Sequence, residues 1–172
     1  ANEITVVGRV FTLSPINTYN KKDGTEGRYR RLTIFDKDAF IVITLWDDHV
    51  NIIDDINLKQ NQLIRIKKCY VKSGLDSLPI INIGKNGSIE NIDNKDVTYK
   101  IPLIEDIIQD ISSINTPETY LALTGIINSP PRISEFTKKN GKSGKVLSLY
   151  ITNISGGRNV RISIWNNDII SD

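Results

Sequence analysis

The chain has 172 residues, 22 of them Lys or Arg and 20 Asp or Glu, for a formal net charge of +2. So even a balance excludes a global basic field, and any affinity for nucleic acid has to come from local clusters of Lys and Arg. One cysteine (Cys69) and one histidine (His49) exclude an internal disulfide framework and argue against a Cys- or His-built metal centre, so no metal and no cofactor is expected.

Taken in chain order, Glu3 to Leu13 alternates loosely and reads as a first strand, with Gly8 allowing a bend or bulge. Ser14 to Glu26 is polar and carries Asp23-Gly24, a turn signal. Arg28 to Phe35 is a second strand and Phe40 to Trp46 a third, joined through Asp36-Lys37-Asp38. A short helix over Asp47 to Asn57 turns Val50, Ile53 and Ile56 inward. Leu63 to Lys72 and Leu78 to Ile83 complete five strands with a helix between the third and the fourth, the element order of an OB-fold, a small Greek-key barrel. The expected divisions are a complete OB-fold over 1–95, a linker over 96–117 and part of a second OB-fold over 118–172. In the linker, Ile104, Ile107, Ile108 and Ile111 recur at helical spacing and predict an amphipathic helix over Leu103 to Ile114. Strands follow at Tyr120 to Ile127, Lys145 to Asn153 and Asn159 to Trp165. No apolar run is long enough to span a membrane and the first residues lack a signal-peptide layout, so a cytoplasmic protein is expected.

The two halves repeat each other. Gly8, Tyr19, Gly24 and Gly27 match Gly125, Phe136, Gly141 and Gly144 at one constant spacing, and Trp46 matches Trp165 after a short insertion around Gly156 and Gly157. A repeated unit of short strands and Gly-marked turns means that the fold is read from the unit. The first copy continues for almost forty residues after its Trp and the second for seven. The second barrel is therefore expected to be unfinished and to be completed by self-association or strand exchange, because a half barrel leaves unpaired edges.

The third strand of each copy carries the functional signal. Ile41, Ile43 and Leu45 alternate with Val42, Thr44 and Trp46, and Val160, Ile162 and Ile164 alternate with Arg161, Ser163 and Trp165. Side chains alternate faces along a strand, so the aliphatic trio takes the core and each Trp falls on the outer face. A large aromatic on a polar face suits stacking against nucleobases, each of which has a π-face. On the second strand Arg31, Thr33 and Phe35 share that outer face, and Arg31 and Phe35 are expected beside Trp46 as a stacking platform with a cation. The first hairpin holds Tyr19, Lys21, Lys22 and Arg28, and its counterpart holds Phe136, Lys138, Lys139, Lys142 and Lys145. Basic residues with an interleaved aromatic suit a flexible single strand. Lys67, Lys68, Lys72 and Lys85 are weaker candidates.

The order GRV, DGTEG with its Arg tail, AFIVITLWD, IRIKKCYVK and INIG resembles the tandem OB-folds of archaeal replication protein A, also called replication factor A. The resemblance extends over 4–90 and 118–167. It implies single-stranded DNA as partner, alongside replication and repair proteins, and a nucleoid-associated role in replication, repair and recombination without enzymatic activity. It implies that the aromatic ending strand three, Trp46 and Trp165, stacks on bases, and that a basic residue shortly before it contacts the strand. That residue is Arg161 in the second copy, where the first has Val42. The family's second stacking aromatic has no counterpart at Leu78-Pro79-Ile80-Ile81-Asn82.

Other readings are an RNA-binding OB-fold module and a protein-interaction OB-fold scaffold. The carboxylate pairs Asp47-Asp48 and Asp54-Asp55 have no accompanying parts of a metal-dependent nuclease and read as charges of a helix start and a solvated face.

Overall fold

Alternation of aliphatic and polar residues makes strand the main regular structure of the described residues. The computed structural model describes residues 3–74 and 79–165. The chain divides into two units, Ala1–Asp106 and Ile107–Asp172.

In the first unit, β1 (Ile4–Leu13), β2 (Asn17–Asn20), β3 (Glu26–Phe35) and β4 (Phe40–Trp46) precede a helical segment of a 3₁₀ turn (Asp47–Asn51) and α1 (Ile52–Asp55). Then come β5 (Leu63–Ser73) and β6 (Pro79–Asn91). Leu78, expected to open the fifth strand, lies outside the described residues. The sheet order is β1-β5-β6-β4-β3-β2, and an additional β1–β3 pairing closes β1, β3, β4, β6 and β5 into a barrel. Within this sheet β4 and β6 form the parallel pair. This is the five-stranded OB-fold expected from the element order, with β2 added as an arm that pairs with β3.

Period-two alternation places the core. Ile43 and Leu45 of β4, Leu32 and Ile34 of β3, and Ile64 and Ile66 of β5 are all essentially inaccessible. The helical segment closes the barrel by burying Val50 and Ile53. Arg9, 5 % exposed, donates from Nε to Pro102 O (2.8 Å), from Nη1 to Asn61 O (2.7 Å) and from Nη2 to Asn94 Oδ1 and Ile101 O (both 3.2 Å). A buried guanidinium with these partners ties the segment after β6 to the barrel.

The predicted helix over Leu103 to Ile114 does not form. The segment holds a 3₁₀ turn (Ile104–Ile107), β7 (Gln109–Asp110) and a second 3₁₀ turn (Ile111–Ser113). Asp110 accepts from Ser112 N at 2.8 Å, a donor that a continuous helix would pair with the Ile108 carbonyl, while Asp106 accepts from Leu103 N at 3.0 Å and caps only the first 3₁₀ turn. Local capping of this kind competes with helix, and β-branched Ile gives the helix little in return.

The second unit continues with β8 (Leu123–Thr124), β9 (Ile126–Ile127), β10 (Arg132–Thr137), β11 (Ser143–Thr152) and β12 (Asn159–Ile164). The single strand expected over Tyr120 to Ile127 is thus two short ones, one pairing with β7 and the other with β11. β10, β11 and β12 form an antiparallel meander. Ile126 and Ile127 are 51 % and 60 % exposed.

Ile43→Ala, at a fully buried site, is expected to lower the unfolding free energy by about 2–5 kcal/mol, read from the shift of a urea unfolding midpoint at unchanged slope.

Candidate nucleic-acid interface

The β3–β4 hairpin register pairs Tyr29 with Trp46, Arg31 with Thr44, Thr33 with Val42 and Phe35 with Phe40. Leu32 and Ile43, paired in the same ladder, face the core, so the first set faces outward. Trp46 is 39 % exposed, and its Nε1 donates to Asn82 Oδ1 at 2.7 Å, an amide that is itself buried. The indole's one polar handle is therefore used internally, and what it offers to solvent is ring surface.

Two tyrosines complete the platform. The Tyr19 ring meets Trp46 edge-on, centroids 5.2 Å apart, and Tyr29 lies tilted against it at 5.5 Å. Tyr19 pairs with Gly27, and a Cβ at Gly27 would stand 2.5 Å from the Tyr19 ring and 2.7 Å from Lys21 Cε. Gly27 thus leaves room for the ring and the lysine stem to lie flat across β3.

Cations flank the rings. The Arg31 guanidinium lies 5.5 Å from the Tyr29 centroid, and Lys72 Nζ is 5.6 Å from that of Tyr70, both within cation–π range. Tyr19, Tyr29, Arg31, Thr44, Trp46, Lys72, Ile80 and Asn82 line one open groove of about 580 Å³. Beyond Trp46, Tyr70, Lys72 and Lys85 line a second depression of about 610 Å³ with Asp47, Asp48 and His49.

Of the residues expected at the site, Trp46, Tyr19, Arg31 and Thr44 come together here. Phe35 does not, which corrects the expectation that it stands beside Trp46. It is 1 % exposed and packs against Phe11 (5.8 Å) and Phe40 (5.4 Å), at the opposite end of the β3–β4 ladder. Thr33, on the same face, is also buried. Lys22 and Arg28 are exposed along the β2–β3 arm. Lys67 is engaged with Glu90 at 3.0 Å, which also takes Arg65, and these cations hold Glu90 below its ordinary range. Lys68 is exposed at the β5–β6 irregularity, in left-handed conformation.

Three groups escaped the sequence reading. Tyr29 shares its strand face with Arg31, which was the available signal. Asn82 is a lone amide in an apolar run. Tyr70 next to buried Cys69 places an aromatic on a later strand, upstream of the segment searched for one.

The second unit repeats the arm. Phe136 pairs with Gly144, where a Cβ would stand 2.5 Å from the Phe136 ring and 2.9 Å from Lys138 Cε. Trp165, 64 % exposed, meets Phe136 edge-on at 5.4 Å. Arg161 pairs with Tyr150 across β12 and β11, and both are exposed. Lys138, Lys139 and Lys142 are exposed, and Lys145 lies on β11.

Among the described residues no cluster of three or more His, Cys, Asp or Glu side chains is placed to hold a metal. Asp47 accepts from Arg28 N and meets Lys21, while Asp54 meets Arg30 at 3.0 Å. No helix among the described residues is long and apolar enough to cross a membrane.

A closed five-stranded barrel with an aromatic platform at the end of its third barrel strand, β4, defines an OB-fold protein. No protein-family model matches the chain. In sequence it is similar to replication factor A of Methanothermobacter thermautotrophicus, 24% identical over 169 residues, which are 97% of this chain and 20% of that protein. In fold it is similar to a replication protein A heterotrimer solved bound to ssDNA, with a TM-score of 0.65 and 21% identity over 97% of this chain and 39% of that one. The chain thus spans about one fifth of the length of the curated relative. The likeness in sequence is thus to an archaeal replication factor A, and the likeness in fold to a replication protein A heterotrimer.

Gly27→Ala is expected to push Tyr19 off β3, because the added methyl would overlap the ring. An aromatic proton spectrum reads this as loss of the ring-current shifts that Trp46 imposes on Tyr19.

Proposed function

We propose that the chain binds single-stranded DNA without sequence preference, as part of a replication protein that also serves repair and recombination. The observation that carries this reading is Trp46: half-exposed, its N–H bonded to Asn82, its ring flanked by Tyr19 and Tyr29 in a groove with Arg31 and Lys72. Such a groove offers ring surface to any base and cations to the backbone, and it presents few groups that would read a base edge. Tyr70, with Lys72 over its ring and Lys85 nearby, extends the path past Trp46. In the second unit Trp165 and Phe136, with Lys138, Lys139 and Arg161, form a smaller platform of the same kind. We read that unit as part of a second OB-fold. Replication and repair proteins are the partners this reading implies.

The test is a titration with oligo-dT followed by Trp fluorescence at low and high salt, with matched duplex DNA and an RNA oligomer as competitors. Quenching by the DNA single strand that weakens steeply with salt supports the reading. Preference for the duplex, or no binding at low salt, overturns it, and preference for the RNA oligomer replaces DNA with RNA. Trp46→Ala is expected to weaken single-strand binding by about 1–3 kcal/mol with little change in melting temperature, since the ring lies outside the barrel core.

A further inference from the structure

Directly after Trp46 the chain places a carboxylate at the rim of the groove. Asp47 accepts hydrogen bonds from Arg28 N (3.2 Å) and Tyr19 OH (3.4 Å), and meets Lys21 Nζ at 3.1 Å. The Arg28 N–H and Lys21 hold Asp47 below the ordinary carboxylate range, so it is charged at neutral pH. Lys21, in turn, is raised chiefly by its bond to Asp47. The pair is accessible, with side-chain exposures of 35 % and 41 %, and a phosphate passing Trp46 meets the carboxylate as well as the lysine.

We propose that Asp47 sets the affinity of this groove: in the free protein its carboxylate latches Tyr19 and Lys21 beside Trp46, and it competes with DNA phosphate for Lys21. The proposal rests on the single-stranded DNA reading above.

The second unit supplies the internal control. Phe136, Gly144, Lys138 and Trp165 repeat Tyr19, Gly27, Lys21 and Trp46, with the lysine stem again lying over the glycine. Phe136 has no hydroxyl, and in the sequence Trp165 is followed by Asn166 where Trp46 is followed by Asp47. The Phe136 ring therefore packs on its glycine without a hydroxyl to bond a carboxylate. What the charge adds in the first unit is neutralisation of Lys21 and repulsion of a neighbouring phosphate. Two like charges about 4 Å apart in water repel by about 1 kcal/mol.

Asp47→Asn isolates the charge. Asp47 has φ 50°, a left-handed conformation that Asn adopts readily, and the amide oxygen still accepts from Arg28 N. Oligo-dT binding is measured across a salt series for Asp47→Asn, Lys21→Ala and the double variant, all in a Trp165→Phe background so that fluorescence reports on Trp46. Asp47→Asn is expected to bind roughly threefold to tenfold more tightly at low salt. Its plot of log affinity against log salt should steepen by about 0.7, the increment for one more phosphate contact on a single strand. Lys21→Ala should remove the added slope in the Asp47→Asn protein, leaving only the part of the gain that comes from lifting the repulsion, and leave the slope of the parent unchanged. The proposal is overturned if Asp47→Asn binds equally or more weakly at unchanged slope, with or without a loss of thermal stability, since Asp47 would then be only a cap. It is also overturned if Lys21→Ala flattens the parent's slope, which would mean that Lys21 already reaches phosphate. Absence of single-strand binding by the parent at low salt would instead remove the functional reading itself.

Discussion

The groove depends on the register of one hairpin. Because Leu32 faces Ile43 in the β3–β4 ladder and both are buried, Tyr29 must face Trp46 and Arg31 must face Thr44 on the outside. A slip of one residue would turn Ile43 and Leu45 to solvent and Trp46 inward. The cost of exposing two fully buried aliphatic side chains, about 1.5–3 kcal/mol each, is what holds the aromatic platform outward. The exposed tryptophan is thus a consequence of core packing. Asn82, on the neighbouring parallel strand β6, then fixes the orientation of the ring by accepting its N–H.

The charge distribution follows the same surface. The overall balance is nearly neutral, so what matters is which cations are compensated. Arg65 and Lys67 share Glu90, Arg30 meets Asp54, and Lys21 meets Asp47. Arg31 and Lys72 lie instead over tyrosine rings in the groove. A cation held over an aromatic face keeps its charge available to a phosphate, whereas one held by a carboxylate must exchange partners. Groove and ion pairs together turn a weakly charged chain into one with a local positive lining, as nucleic-acid binding at small net charge requires.

Much of the barrel was legible because it rests on period two. The β4 bounds, the inward trio and the outward Trp46 follow from alternation in AFIVITLW alone. Phe35 shows the limit of that signal: parity gives the face of a strand but not the height along it. Phe35 is on the Trp46 face yet lies with Phe11 and Phe40 at the far end, where the barrel covers it. The linker fails for a different reason. Ile104, Ile107, Ile108 and Ile111 have helical spacing, but Asp110 takes the Ser112 N–H that a helix would use, and the segment ends as two 3₁₀ turns. The site residues that escaped notice need a partner to become visible. Tyr29 matters because Trp46 is opposite it, Asn82 because an indole N–H reaches it, and Tyr70 because Lys72 lies over its ring.

The repeat in the sequence is a repeat of contacts. Gly8 gives way to the Ile34 side chain, and Gly125 to that of Ile151. Gly27 carries the Tyr19 ring and the Lys21 stem, and Gly144 carries the Phe136 ring and the Lys138 stem. At Gly8, Gly27 and Gly144 a neighbouring side chain would stand within 3 Å of an added Cβ, at Gly125 Thr152 O and Ile151 would stand at 3.1 and 3.2 Å, and none of the four has a left-handed φ. Other positions of the groove differ between the units: Val146 stands at the place of Tyr29, and Ser148 at that of Arg31. What both units retain is an aromatic laid across a glycine, a lysine beside it and a tryptophan meeting the ring edge-on. That unit exposes the tryptophan and places a cation beside it, whether or not the further tyrosine and the carboxylate are present. The first unit adds Tyr29, Asn82 and Asp47 to this common element, which makes its groove the more preorganised of the two.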